Sequence, residues 1–217
     1  MHSITIISTH HAEIQKCNSD ELYKIIDSIN PDVIFEELPS ISFDNIYNNN
    51  RSDISIEAKS IKKYLQNHEI EHIPVDTIAD PNRSSIERLM FEKFERYPEY
   101  KRIKYEHNSL IAREGFNYLN SNKCIDLVEK WILIEKAIVK SDEYKDLYLQ
   151  PYNSFYEDVN SREKVMLQNI YNYSKQSQYN QAIFLLGCGH RKSIISKIVE
   201  HENQSDIKLN WTVYGTN

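Results

Sequence analysis

The residues able to do chemistry in this chain recur at one kind of place, directly after a short apolar run. Ile4-Thr5-Ile6-Ile7 leads into Ser8-Thr9-His10-His11, and Val33-Ile34-Phe35 leads into Glu36-Glu37. Ile73-Pro74-Val75 ends in Asp76, and Ala182 to Leu186 runs into Gly187-Cys188-Gly189-His190. Two imidazoles with one or two carboxylates, His11 and His190 with Glu36 or Glu37 and Asp76, suit a divalent transition metal. The same side chains without metal supply a general base and the acid that orients it. Both arrangements hold a neutral histidine beside a carboxylate, so the sequence leaves both open. Glu36 and Glu37 project to opposite sides of a strand, so one can enter a site while the other faces elsewhere. Glu36 and Asp76 are the further candidates for contacting a cofactor or serving as base. Asp76 reads first as a helix cap or ion-pair partner.

The glycine turn adds to this. The chain has four glycines, and two of them flank Cys188. Glycine permits the close backbone approach and unusual φ that a strand-to-helix turn at a ligand demands. His190 then stands near a helix start, where backbone amides favour anions, although a simple capping turn explains it as well. Cys188 is a conceivable nucleophile, but nothing in the sequence lowers its thiol pKa.

The apolar runs do not alternate with polar residues, the mark of strands covered on both faces in a parallel α/β sheet. Leu209 to Tyr214 alternates more and fits an edge strand. Pro74 removes a ladder donor, so the third strand is short or lies at an edge. Between the strands, Leu22, Ile25, Ile26 and Ile29 give Ser19–Ile29 an amphipathic stripe. Residues 54–66 read as another helix. Ser161 to Ser174 opens on Asn160 with Glu163 three residues on, like a capping box. A last helix follows His190 with Ile194, Ile195, Ile198 and Val199 inward. The expected fold is therefore α/β, a mostly parallel central sheet flanked by helices in one domain over 1–217. A helical insert or cap over 82–158 separates the third and fourth strands. In that insert Trp131 joins Leu127, Ile134 and Ile138 in a core stripe. Tyr144, Tyr148, Tyr152 and Tyr156 line one helix face, packed on the sheet, unless Pro151 breaks it into a loop. In open α/β sheets ligands bind outside the carboxyl ends of the strands, where the four motifs all fall.

The bulk composition narrows the partners. With 217 residues the chain can bury a core without staples. A net charge of -6 argues against nucleic acid; Lys101-Arg102-Ile103-Lys104 reads as a solvated helix face. Three cysteines without a spacing motif fit a reducing compartment. The N-terminus reads as a strand and not as a signal peptide, and no window reaches the length of a membrane span. The expectation is a cytoplasmic protein with no membrane partner and a small-molecule or peptide substrate.

The pair of G-x-x-H-like motifs, one near each end of the chain, resembles the superfamily that includes TraB, Tiki proteins, ChaN and erythromycin esterases. Pro31-Asp32-Val33-Ile34-Phe35-Glu36-Glu37-Leu38 is similar to its "PDxxxxEL" strand, aligning the family glutamate with Glu37. Arg162, Met166 and Ile170 resemble its "R…M…I" helix. The resemblance covers residues 1–80 and 158–215. It departs at Ser8, where glycine is usual, at Pro39, where TraB-like members carry aspartate, and in lacking a membrane anchor. It implies an erythromycin-esterase-like or ChaN-like fold with His11, Glu37, Arg162 and His190 as site residues. Arg162, unfavourable in a helix's first turn, would clamp a carboxylate or a substrate oxyanion. The implied activities differ: a metal-dependent (Mn, Co or Zn) peptidase- or esterase-like hydrolase, a metal-free histidine esterase, or a haem- or peptide-binding protein.

Overall fold

The computed structural model describes residues 2–48, 54–78, 85–141, 143–203 and 206–215. Five strands form one sheet: β1 (Ser3–Thr9), β2 (Val33–Pro39), β3 (Glu71–Asp76), β4 (Gln181–Gly187) and β5 (Asn210–Val213). They lie in the order β3-β2-β4-β1-β5, and every pairing is parallel. The sheet is thus the α/β arrangement the apolar runs require. Pro74 sits on the edge strand β3, opposite Glu36, and β5 forms the other edge.

The helices are α1 (Ser19–Ile29), α2 (Ser40–Tyr47), α3 (Ile56–Leu65), α4 (Ser85–Phe94), α5 (Pro98–Glu114), α6 (Phe116–Leu119), α7 (Asn122–Lys140), α8 (Lys145–Gln176) and α9 (Arg191–Glu202). Alternate strand residues bury two cores. Ile7, Ile34, Ile183 and Leu185 pack with α1, α3, α5, α6 and α7 on one face. Ile4, Ile6, Val33, Phe35, Phe184 and Leu186 pack with α8 and α9 on the other.

The connections fix where a ligand can sit. The crossover through α1 carries the chain from β1 past β4 to β2, and the crossover through α9 carries it from β4 past β1 to β5. Right-handed crossovers that run in opposite directions must lie on opposite faces. The chain therefore leaves the neighbouring strands β1 and β4 toward opposite faces. That parting opens a crevice at their carboxyl ends, the switch point at which open α/β sheets bind ligands.

The structure departs from the sequence expectations in several places. The helix expected to open at Asn160 is the second half of the 32-residue α8, which runs through Pro151. Asn160 is not a cap, and Arg162 is not in a first turn. Pro151, in the second turn of α8, cannot donate to the Leu147 carbonyl, and the helix continues through it. Tyr148, Tyr152 and Tyr156 lie in α8 with Tyr144 just before it, but Tyr144, Tyr148 and Tyr152 pack against Met90, Phe94, Ile138 and Val139 in a third cluster and not against the sheet. Val199, expected inward, is 61% exposed, while Ile194 and Ile198 bury the helix. The insert is integral to the core, since Ile103, Leu110, Phe116 and Leu127 lie on the sheet with α1 and α3. Its expected first residues, Asn82 to Ser84, lie outside the described residues.

Candidate active site

At the parting of β1 and β4 the structure brings His11, Glu37, Arg162 and His190 together. Glu37, on β2, is the centre. Its side chain is 8% exposed, and its oxygens meet donors from three elements. The Gly187 amide donates to Oε2 at 2.6 Å, His190 Nε2 faces Oε1 at 3.1 Å, and Arg162 Nη2 donates to Oε1 at 3.5 Å. Burial pushes the Glu37 carboxyl upward, but the His190 hydrogen bond, the charges of His190 and His11 and the Gly187 amide outweigh it and hold the pKa at about 2.

His190 is fixed from both sides. Its Nδ1 lies 2.8 Å from Glu163 Oε1 while Nε2 faces Glu37. Ionised carboxylates only accept hydrogen bonds, so a ring between two of them carries both protons. Burial works against the charge, but the two carboxylates raise the pKa to about 9. Glu163 is itself anchored by Ser193 Oγ at 2.5 Å and Lys197 Nζ at 2.7 Å. Arg162 donates through Nε to Asp76 Oδ1 at 3.2 Å and through Nη2 to Oδ2, so its guanidinium bridges Asp76 on β3 and Glu37 on β2. It clamps the protein's own carboxylates.

His11 approaches from the other face. Its Nδ1 lies 3.1 Å from Oε1 of the buried Glu57, near the start of α3, and its side chain is 60% exposed. The Glu57 hydrogen bond, against some burial and with help from the charges of Glu57 and Glu37, raises the ring's pKa to about 9. Gly187 makes the meeting possible. A Cβ there would fall 3.1 Å from His11 Nε2 and 3.5 Å from Glu37 Oε2. The bare Cα thus lets an imidazole from β1 and a carboxylate from β2 face one point above β4.

Glu36 turns to the opposite side of β2, as strand alternation requires. There its Oε2 receives Tyr47 Oη at 2.8 Å and faces His72 Nε2 at 3.0 Å. Asp76 is the partner of Arg162 and serves the site through it. Next to His11 and Glu37 lies a cavity of about 230 Å³, lined also by Glu36, Ser55 and Glu57 and walled by Leu38, Ile46, Ile54, Leu185 and Leu186.

The sequence reading missed Glu57, Glu163 and the role of Gly187. Glu57 sits two residues into a helix, where an acidic residue ordinarily answers the helix dipole. Glu163 was read as a capping residue. Both are buried, at 4% and 1% exposure, and only their contact with an imidazole distinguishes them.

The donor set does not fit a metal as arranged. His190 spends both ring nitrogens on carboxylates, and Glu37 already receives three donors. Among the described residues, no group of three His, Cys, Asp or Glu side chains is placed to hold an ion. Also among them, no helix is long and apolar enough to cross a membrane.

No family model, no curated protein and no solved structure matches the chain.

Proposed function

We propose that this protein is a hydrolase of small esters or amides that uses the His11–Glu57 pair to activate water, the activity implied by the resemblance to the erythromycin esterase and Tiki superfamily. The observation that carries the reading is the orientation of His11. Its Nδ1 is held by a buried carboxylate while Nε2 faces Glu37 across the bare Gly187.

The chemistry follows from these contacts. A carboxylate on Nδ1 fixes the ring and stabilises the imidazolium that forms when Nε2 takes a proton. A water held between Nε2 and Glu37 gives one proton to His11 and hydrogen-bonds Glu37 with the other. Glu37 accepts without becoming protonated, because His190, Arg162 and the Gly187 amide keep it ionised. The water oxygen then adds to the ester or amide carbonyl, and His11 returns the proton to the leaving group. The apolar part of the cavity wall, Leu38, Ile46, Ile54, Leu185 and Leu186, suits a short aliphatic acyl chain.

A metal-dependent reaction would need His190 to release one carboxylate and to lose a proton. The two readings separate in one experiment: p-nitrophenyl acetate and butyrate and a short peptide panel are incubated with the protein, with and without a strong chelator, and with added Mn, Co or Zn. The expected result is ester turnover that survives chelation and falls by at least about a hundredfold in His11→Ala. Turnover that needs an added metal points to the metal-dependent reading. No turnover, or equal turnover in His11→Ala, rejects the proposal, and a Soret band on haem addition in its place would mark a binding protein.

A further inference from the structure

At the carboxyl end of β1 a side-chain amide stands in for a missing strand. On the β5 side, His2 O receives Asn210 N at 2.8 Å and Ile6 O receives Tyr214 N at 2.9 Å, while on the β4 side Thr9 O receives Cys188 N at 3.0 Å. Ser8, two residues beyond Ile6, turns its N–H and C=O to the β5 side as well. There β5 has already ended, at Val213, which pairs with Ile6. Ser8 is fully buried, so both groups need a partner from elsewhere. Asn120, just after α6, supplies it. Its Oδ1 accepts from Ser8 N at 2.7 Å, and its Nδ2 donates to Ser8 O at 3.1 Å.

Asparagine suits this place because its side chain carries an acceptor oxygen and two donor hydrogens. The second hydrogen is used too, since Nδ2 also donates to Phe116 O at 2.9 Å, which fixes the amide to α6. The next residue, Ser121, accepts through its carbonyl from Nη1 of the buried Arg191 at 2.6 Å. The junction of α6 and α7 thus holds the chain three residues before His11 and one residue after His190. On the other side of β1, Thr9 Oγ1 donates to Leu186 O at 3.2 Å. The last residues of β1 are therefore held from both sides.

We propose that Asn120 is a positioning residue for His11: by closing the ladder at Ser8 it sets the direction in which the chain leaves β1, and so holds the imidazole against Glu57 with Nε2 toward Glu37. The inference rests on the reading of His11 as the base. Asn120 does not touch the reacting atoms and acts through the backbone. Without its amide, the Ser8 N–H and C=O must shift to find other partners, and the shift is carried over three residues to the ring. Small displacements of a catalytic group cost roughly tenfold to a hundredfold in rate. A longer contact between His11 and Glu57 also loosens the hold on the ring proton. His190 keeps both its partners, Glu37 and Glu163.

The test compares wild type, Asn120→Ala and Asn120→Ser by ester turnover and by NMR titration of the two histidine rings. In Asn120→Ala, kcat should fall roughly tenfold or more with KM little changed. The His11 ring should titrate below the wild-type value of about 9, while His190 stays near 9. Asn120→Ser, whose hydroxyl can meet one of the two Ser8 groups, should show a smaller change of the same kind, and it serves if the alanine variant does not fold. In the wild type the Ser8 amide should exchange with solvent as slowly as the paired amides of β1. An unchanged His11 titration, or an equal shift at both rings, overturns the inference, because Asn120 would then only support the fold. Fast exchange at Ser8 overturns it too. If the wild type hydrolyses no ester, the hydrolase reading falls, and the ring titrations still decide the role of Asn120.

Discussion

The imidazole of His11 is exposed on one side and tied to a buried carboxylate on the other, and that asymmetry sets its chemistry. With a pKa near 9, the ring becomes a base only as pH rises. The rate kcat/KM should therefore climb through neutral pH and level off above about 9. Glu57→Gln removes the anion that holds the proton, so the rising limb should move to lower pH while the maximal rate falls. An unmoved limb would mean that Glu57 only shapes the fold. Gly187→Ala is the matching test of space. Its added Cβ would sit 3.1 Å from His11 Nε2, and small displacements of a catalytic group cost roughly tenfold to a hundredfold. Turnover should fall by that factor with little change in Tm; an unchanged rate would show that His11 and Glu37 need not face each other. His11, Glu37 and His190 were legible in the sequence because each follows an apolar run that ends at the sheet's carboxyl edge. Glu57, Glu163 and Gly187 were not, since a carboxylate near a helix start has an ordinary explanation and a glycine's missing side chain shows its use only against its neighbours.

Secondary-structure elements were readable where one periodicity governed them. The strands and α1 match because continuous apolar runs and the Leu22, Ile25 and Ile26 stripe admit one burial pattern. The start of α8 was misread because Asn160 and Glu163 imitate a cap inside a helix that tertiary packing extends through Pro151. The length of α8 has a functional consequence. Met166, Leu167 and Ile170, all buried against the sheet, lock the turn that carries Arg162 and Glu163. Ile170→Ala should destabilise the protein by roughly 2–5 kcal/mol in urea unfolding. It should also weaken turnover, because Arg162 and Glu163 lose their fixed register. A loss below about 1 kcal/mol would mean that the helix is anchored elsewhere.

For the whole molecule, charge and topology act together. The parting of the chain at β1 and β4 was implicit in the order of elements, but the strand order that creates it depends on pairings the sequence does not state. The charges assembled there make stability depend on pH with opposite signs at either end. Glu37, whose pKa drops from 4.5 to about 2, contributes fully above 4.5, and that contribution disappears as pH falls through 2. His190, raised from 6.5 to about 9, contributes fully below 6.5, and that contribution disappears as pH rises through 9. In the helical cluster, burial raises the Glu135 carboxyl from 4.5 to about 7, against the hydrogen bonds from Tyr156 and Tyr152, so the fold is disfavoured progressively across that interval. Burial lowers the His107 ring from 6.5 to about 4, which offsets the Glu135 loss below 6.5, so Tm should stay roughly level from about pH 4.5 to 6.5 and decline toward 9, and Glu135→Gln should turn the level stretch into a rise. The most direct test of the shared centre is an NMR titration of the histidine ring nitrogens, assigned through His11→Gln and His190→Gln. The account predicts that both rings lose their protons near 9, and that His11 titrates lower in Glu57→Gln. Titration of both near the ordinary 6.5, unaffected by Glu57, would contradict it.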